Sequence, residues 1–216
     1  ESIAQPLAMP QTFGHDLMTQ ADAYWLGYYI GNGSWTVGGY KSVVDGSQKQ
    51  ESVVWCFGNR VGRFAHEQYA SAFTSWAQQY GGTWKPQVRN AMTSIGLAQD
   101  NKLRALLPTW GLNPEWRFDT KRVPESIWRG SLEVRKAFVL GYMDADGTLG
   151  TNQPSGHTPN LELLRDLQVL ARTIGVTSKI HGPYLPDGVH QAWQWHLCGS
   201  LMRAHLDYGA PVQRQR

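Results

Sequence analysis

One helix ending occurs twice in this sequence, and it constrains the fold more than any other feature. The first copy reads WLGYYIGNG and the second reads VLGYMDADG. In the first copy, Gly27 and Gly31 are four residues apart, so they lie on one face of a helix. In the second copy, Gly141 and Ala145 have the same spacing. Because glycine costs a helix about 1 kcal/mol relative to alanine, we expect these faces to accept another helix backbone, and so the two helices to pack together.

Close packing of these helices brings their C-terminal residues, Asn32 and Asp146, to the same place. The C-terminus of a helix presents unpaired carbonyl groups with partial negative charge. A carboxylate added there makes an oxygen-rich pocket that suits a hard divalent cation such as Mg²⁺. Two metals sharing such a pocket would hold the attacking and leaving oxygens of phosphodiester hydrolysis.

The order of elements around each copy repeats as well, with Gly27 and Gly141 114 residues apart. We expect Asp22 to cap the first helix, and the helix to end at Asn32-Gly33 in a left-handed turn. Hydrophobic periodicity predicts the remaining elements. They are strands at 34–44 and 51–57, a helix at 64–80, a strand pair at 84–94 and a helix at 99–107, then a helix at 132–145, strands at 148–158, a helix at 160–175, strands at 179–184 and 191–197, and a helix at 201–206.

The sequence therefore predicts an α+β fold built from two αββαββα units. We expect a lead-in at residues 1–20 and a first half at 21–109. A linker at 110–133 carries a Lys-x-Val-Pro block, and the second half covers 134–216.

Charge and cysteine content narrow the functional class. Residues 1–32 contain no Lys or Arg, so all 20 of these residues lie in the rest of the chain, which permits nucleic-acid binding without requiring it. No run approaches the roughly 20 apolar residues of a membrane span. Cys56 and Cys198 are too few and too far apart to indicate a disulfide framework or a zinc site. We expect an intracellular setting, in the cytoplasm or nucleoid of a microbial or phage host, and no membrane partner.

The two helix endings resemble the paired signature of LAGLIDADG homing endonucleases. Residues 119–127 (DTKRVPESI), followed by RKAFVLG, are similar to the Lys-x-Ile-Pro block of intein-type, single-chain members. Residues 160–180 resemble the later block of the family, a Leu-rich helix that runs into a turn and strand. The likeness covers residues 20–210.

The resemblance implies a monomeric, pseudo-twofold meganuclease with its signature helices packed at the interface. Its antiparallel sheets would form β-saddles on a long asymmetric DNA duplex. Hydrolysis would cross the minor groove with Mg²⁺ or Mn²⁺, and Ca²⁺ would bind without supporting cleavage. Carried over by position, the metal ligands are Asp146, Asn32 and the carbonyls of Gly31 and Ala145. Lys121 would polarise the attacking water or stabilise the developing charge.

The sequence departs from the family pattern at three places. Position 32 holds Asn where the family has Asp, and this loss of a ligand charge predicts impaired double-strand cleavage or nicking. An inactivated variant and a decayed natural copy are both compatible with it. The counterpart of Lys121 falls at Arg214, which stabilises charge but accepts protons poorly. Protein-splicing residues are missing, so we expect either a free-standing enzyme or a domain separated from its intein.

Polar residues on alternate strand positions suit base edges, since Arg and Lys match guanine while Gln and Asn match adenine. The predicted DNA-contacting residues are Trp35, Lys41, Gln50, Lys85, Gln87, Arg89 and Asn90 in the first half, and Lys179, His181, Gln191, Gln194 and His196 in the second.

Two other interpretations remain open. The first is a non-cleaving LAGLIDADG nucleic-acid binder, such as an intron maturase or a transcription regulator. An intact Asp146 together with Lys121 disfavours it, because a pure binder needs neither. The second is a small-molecule or protein-interaction module whose helix patterns coincide with the signature.

Overall fold

The chain folds as two compact units in a computed structural model. Of the described residues, one unit contains those up to Gly31 together with those from Phe118 onward, and the other contains those between Asn32 and Arg117. Within the described residues, no helix is both long and apolar enough to cross a bilayer. The structure describes residues 18–36, 40–41, 48–49, 52–58, 63–82, 84–89, 92–98, 100–149, 154–185, 188 and 191–198. The predicted lead-in up to residue 17 and the predicted helix at 201–206 lie outside them.

The first helix, α1 (Gln20–Asn32), begins with a capping box. Thr19 Oγ1 accepts a hydrogen bond from the backbone N–H of Asp22 (3.2 Å), and Asp22 Oδ2 accepts one from the backbone N–H of Thr19 (2.8 Å). Thr19 is therefore the N-cap and Asp22 the third helical residue. The prediction that Asp22 caps the helix is wrong by three residues, because its carboxylate reaches back to the cap.

The unit of residues 32–117 is a four-stranded antiparallel sheet covered by a helix. The strand order is β1-β4-β6-β5, and β2 pairs with β3 in a separate ladder. Side chains of Trp55, Phe57 and Phe73 are completely buried between sheet and helix. The elements are β1 (Gly33–Thr36), β2 (Tyr40–Lys41), β3 (Gln48–Lys49), β4 (Ser52–Gly58), α2 (Arg63–Ala77) with a 3₁₀ turn at Gln78–Tyr80, β5 (Trp84–Arg89), β6 (Met92–Leu97) and α3 (Lys102–Leu106).

The other unit contains α1 up to Gly31 and a second sheet with the equivalent strand order, β7-β8-β10-β9. Leu164, Leu167 and Leu170 are fully buried, as the 3.6-residue period predicts. The predicted repeat of helix, two strands, helix and two strands is therefore confirmed. The elements are α4 (Glu125–Arg129), α5 (Leu132–Asp146), β7 (Gly147–Leu149), β8 (Pro154–Thr158), α6 (Leu161–Thr173), β9 (Thr177–Tyr184) and β10 (Ala192–Cys198).

The helices α1 and α5 end without the left-handed turn predicted for the first. Gly33 is the first residue of β1 and has no positive φ, and Gly147 is extended, with φ −88° and ψ 154°. Each helix therefore passes directly into a strand. Glycine is needed at position 147 for a different reason, since a Cβ there would lie 2.3 Å from the carbonyl oxygen of Met143.

Candidate functional site

The contact between α1 and α5 is nearly symmetric. A Cβ on Gly27 would lie 2.1 Å from the carbonyl oxygen of Phe138, and a Cβ on Gly141 would lie 1.9 Å from the carbonyl oxygen of Tyr24. Phe138 is separated from Tyr24 by the same 114 residues that separate Gly141 from Gly27. Each helix thus lays its backbone in the gap left by the missing side chain of the other. The prediction that the small faces receive another helix is confirmed.

The second pair of small residues brings the helix ends together. A Cβ on Gly31 would lie 2.6 Å from the Cβ of Ala145 and 3.3 Å from the Cβ of Asp146. An alanine fits at position 145 because its partner position holds glycine. The last residues of α5 therefore lie directly against the penultimate residue of α1, and Asn32 follows that residue in the chain.

A side-chain contact that the sequence did not predict also joins the two helices. Tyr24 Oη in α1 donates a 2.6 Å hydrogen bond to Asp144 Oδ2 in α5. Tyr24 is 4% exposed and Asp144 is half-buried, so the bond is partly shielded from water. Asp144 thus connects the two helices. The one feature of the sequence that indicates this role is the presence of an acid among apolar residues of the helix.

Lys121 is buried, and its ammonium group lies at the C-terminal end of α1. Nζ donates hydrogen bonds to the carbonyl oxygens of Tyr29 (3.1 Å) and Ile30 (2.9 Å), and it lies 5.3 Å from the centre of the Tyr29 ring. These carbonyls belong to the last turn of the helix, where partial negative charge accumulates. A positive charge is therefore held at the end of α1, close to the tip that Asp146 contacts.

The segment that carries Lys121 is hydrogen-bonded to residues at the start and in the middle of α6. Asn160 accepts a hydrogen bond from the backbone N–H of Leu163 as the N-cap of α6, and its Nδ2 donates one to the carbonyl oxygen of Lys121 (2.8 Å). Asp166 accepts two 2.7 Å hydrogen bonds from the guanidinium of Arg122 and a third from the backbone N–H of Val123. The Lys-x-Val-Pro block is thus a strap, with Lys121 directed inward and Arg122 outward.

Asp146 ends α5 and is half-buried, and Asn32 ends α1 and is also half-buried. Complete burial and then the charge of Asp146 raise the pKa of Tyr142 well above its usual value. The ends of α1 and α5 offer only carboxylate, amide and main-chain oxygens, which suit a hard cation such as Mg²⁺. No group of three or more His, Cys, Asp or Glu that could by itself hold a metal ion occurs in the described part of the chain. A cation here would therefore take further oxygen ligands from water or from a bound anion.

The predicted contact residues of the second half lie on the open side of its sheet. On β10, Trp195 and Leu197 are buried, whereas Gln194 and His196 alternate with them on the other side. Gln194 pairs across the ladder with His181, and His196 pairs with Lys179. Lys179, His181 and Gln191 are exposed, and Gln191 lies immediately before β10.

Sequence reasoning missed His157 on β8. His157 is exposed and pairs with Gln194 across the ladder. It lies on the opposite side of β8 from its buried neighbour Gly156. The short, Gly/Pro-rich β8 showed too little alternation for its facing to be predicted. Its position relative to Gln194 became apparent only from the register.

The predicted DNA-contacting residues of the first half include one that is exposed, one that is buried and several whose side chains the structure does not describe. Gln87 is exposed on β5, opposite Ser94. Trp35 is only 7% exposed and pairs with the buried Val53, so it belongs to the core. Because its side chain packs on the apolar side of β1, Trp35 is removed from the predicted DNA-contacting residues. Lys41, Lys85 and Arg89 are strand residues whose side chains lie outside the described part, and Gln50, Asn90 and Arg214 lie outside it altogether.

Comparison with known proteins agrees with this geometry. Residues 133–201, which contain α5 and the second sheet, match the family model described as "LAGLIDADG-like domain". No curated protein matches this sequence.

The LAGLIDADG-like fold extends beyond the matched residues. Mesophilic variants of the homing endonuclease I-DmoI align at a TM-score of 0.58 with 16% identity, covering 87% of this chain and 93% of theirs. I-DmoI in complex with DNA and Mn aligns at 0.58 with 15% identity, covering 88% and 93%. I-DmoI in complex with DNA and Ca aligns at 0.58 with 17% identity, covering 88% and 86%. At these identities the likeness establishes an α+β fold of the LAGLIDADG type.

Proposed function

We propose that this protein is a site-specific, metal-dependent DNA endonuclease of the homing type, whose double-strand cleavage is impaired by Asn32. The observation that carries the proposal is the reciprocal contact of Gly27 and Gly141. That contact packs α1 against α5, and the ends of these two helices carry Asp146 and the buried charge of Lys121. A helix pair built only for stability needs neither an acid at a helix C-terminus nor a buried lysine.

The proposed ligands of the metal are the Asp146 carboxylate, the Asn32 amide oxygen and the carbonyls of Gly31 and Ala145. When bound, Mg²⁺ or Mn²⁺ would supply Lewis-acid activation of water and of a phosphodiester. Asp146 contributes the one full ligand charge, and Asn32 contributes a neutral oxygen. Lys121 holds its positive charge at the end of α1, and Arg214 is proposed as its counterpart in the other half.

The proposed DNA surface is the open side of the two sheets. It consists of Gln87, Lys179, His181, Gln191, Gln194 and His196, together with Lys41, Gln50, Lys85, Arg89 and Asn90. I-DmoI has been solved in complex with DNA and Mn, and with DNA and Ca. The shared fold supports the same partner and divalent metals for this protein. We further propose that it acts as a monomer inside the cell and that it derives from an intein-type enzyme.

DNA binding is tested first, by gel shift with a random-sequence duplex over a range of salt concentrations. Phosphate contacts release counterions, so affinity should fall steeply as salt rises. Binding without salt dependence, or no binding at all, would contradict the proposal. A duplex enriched by selection from the same library then provides the specific target.

Cleavage is tested by restoring the missing acid with Asn32→Asp. The restored protein should cut the selected duplex in Mg²⁺, while the present protein leaves it intact or nicked. The matched control is Asn32→Asp combined with Asp146→Asn, which should bind the duplex without cutting both strands.

A second candidate function is a non-cleaving nucleic-acid binder, such as a maturase or a regulator. Asn32 favours it, because this residue weakens the metal site without altering the sheets. The two candidates are separated by the restored variant, since a pure binder would leave the duplex intact even with Asp at position 32.

A further inference from the structure

Three histidines from three neighbouring strands lie together on the open side of the second sheet. His157 on β8 and His181 on β9 are both paired with Gln194 on β10, from opposite sides. His196 lies two residues along β10 on the same side. Its ring is edge-on to that of His181, with 5.0 Å between centroids and 88° between planes. These three residues form a histidine cluster.

The charged surroundings of the histidine cluster are of one sign. Lys179 pairs directly with His196, and the strands β7–β10 contain no Asp or Glu. Cys198 lies on the same side of β10 as His196. The nearest carboxylate that precedes these strands in the chain is that of Asp146, the residue before β7. The helices α5 and α6 pack on the opposite side, against Trp195 and Leu197. Nothing within these strands therefore neutralises a protonated histidine.

His196 is the least accessible of the three and is held in its neutral form. Its Nδ1 is buried, and no hydrogen-bond partner for it exists among the residues described. Burial first, and then the proximity of His181 and His157, lower the pKa of His196 below its ordinary value. His196 is therefore neutral at neutral pH when no ligand is present.

We propose that the histidine cluster is a proton-coupled contact site for a DNA phosphate, in which His196 takes up a proton as the duplex binds. This inference rests on the proposed function, because it assumes that this side of the sheet faces DNA. A phosphate supplies the negative charge that the strands lack. Its approach stabilises the imidazolium form of His196.

The direction of the pH dependence follows from linkage. Protonation of His196 is more favourable in the complex than in the free protein, so the pKa of His196 is higher in the complex. The added affinity is fully present below the free-protein pKa of His196 and is lost as pH rises through the pKa of the complex. Affinity should therefore rise as pH falls from about 8 to 6, approaching about tenfold per pH unit for each proton taken up.

The test measures fluorescence anisotropy of a labelled random-sequence duplex at constant ionic strength, in Ca²⁺, across that pH range. The native protein should show the rising affinity, and His181→Gln with His196→Gln should flatten the pH profile. The matched control is Lys179→Gln, which removes a neighbouring positive charge and leaves the histidines in place. It should lower the affinity equally at every pH and leave the slope unchanged.

Calorimetry in buffers of different ionisation enthalpy provides a second readout, since proton uptake makes the binding heat depend on the buffer. Salt-dependent binding with a flat pH profile would overturn this inference and leave the proposed function standing. A slope retained in the double histidine variant would also overturn it. Absence of binding at every pH would overturn both.

Discussion

Tyr24 in α1 and Asp144 in α5 are hydrogen-bonded to each other across the contact of the two helices, with 2.6 Å between Tyr24 Oη and Asp144 Oδ2. The bond lies beside a contact in which a glycine of each helix faces the backbone of the other. Helices that touch through glycines gain little from side-chain interdigitation at the contact. A charge-assisted hydrogen bond at the edge of that contact therefore fixes their relative rotation and register.

Tyr24→Phe should destabilise the protein by about 2 kcal/mol, because it leaves the Asp144 carboxylate without this donor. Urea denaturation should show the loss as a lower midpoint at an unchanged slope. Tyr184→Phe is the control, since Tyr184 is 46% exposed on β9 and its hydroxyl should contribute little. Equal midpoints for the two variants would show that the bond is not stabilising.

Gly27→Ala and Gly141→Ala should each destabilise the protein by about 3 kcal/mol or more, because the added carbon meets a carbonyl oxygen of the facing backbone. The helices would have to separate, and backbone cannot move aside as a flexible side chain can. Gly58→Ala provides the control, because a Cβ there meets nothing within 4 Å. If an alanine at either helix position unfolds at the same urea concentration as Gly58→Ala, the close contact does not exist in solution.

Lys121→Met should both destabilise the protein by about 2 kcal/mol and abolish cleavage in the Asn32→Asp background. The stability loss arises because the carbonyls of Tyr29 and Ile30 lose a charged donor. Lys102→Met replaces an exposed lysine and should change neither property. The cleavage rate is measured well below the melting temperature under single-turnover conditions. Normal cleavage by folded Lys121→Met would exclude its proposed catalytic role.

Removal of divalent metal should lower the melting temperature of the Asn32→Asp variant and leave Asp146→Asn unaffected. A metal that binds only the folded state stabilises it by about 2.7 kcal/mol at a hundredfold excess over its Kd. The present protein, with one ligand charge, should respond less than the restored variant. Melting curves in Mg²⁺ and in EDTA measure the difference. An equal response from Asp146→Asn would place the cation elsewhere.

Periodicity and small-residue spacing were sufficient to predict the helices, the repeated strand pairs and the helix contact. Leu164, Leu167 and Leu170 illustrate why, since local spacing alone decides which side of a helix is apolar. The side of a sheet on which a given side chain lies was harder to predict. Trp35 has a side chain suited to either side of a strand, and its burial depends on pairing with Val53.

The roles of Asp144, Lys121 and His157 could not be derived from neighbouring residues in the sequence. Asp144 finds its partner 120 residues away, and Lys121 finds its acceptors 91 and 92 residues away. Cross-strand register alone places His157 beside Gln194. Each of these contacts depends on where distant segments meet.

The sequence by itself determined that two glycine-bearing helices pack together and that each is followed by the same order of strands and helix. Those features depend on backbone geometry and on the period of apolar residues, which are local properties. Only the tertiary structure decided that the buried lysine caps α1, that an acid in α5 bonds to a tyrosine in α1, and that three histidines share one side of a sheet. Long-range packing and strand register set these contacts, because each one joins segments that are far apart in the chain.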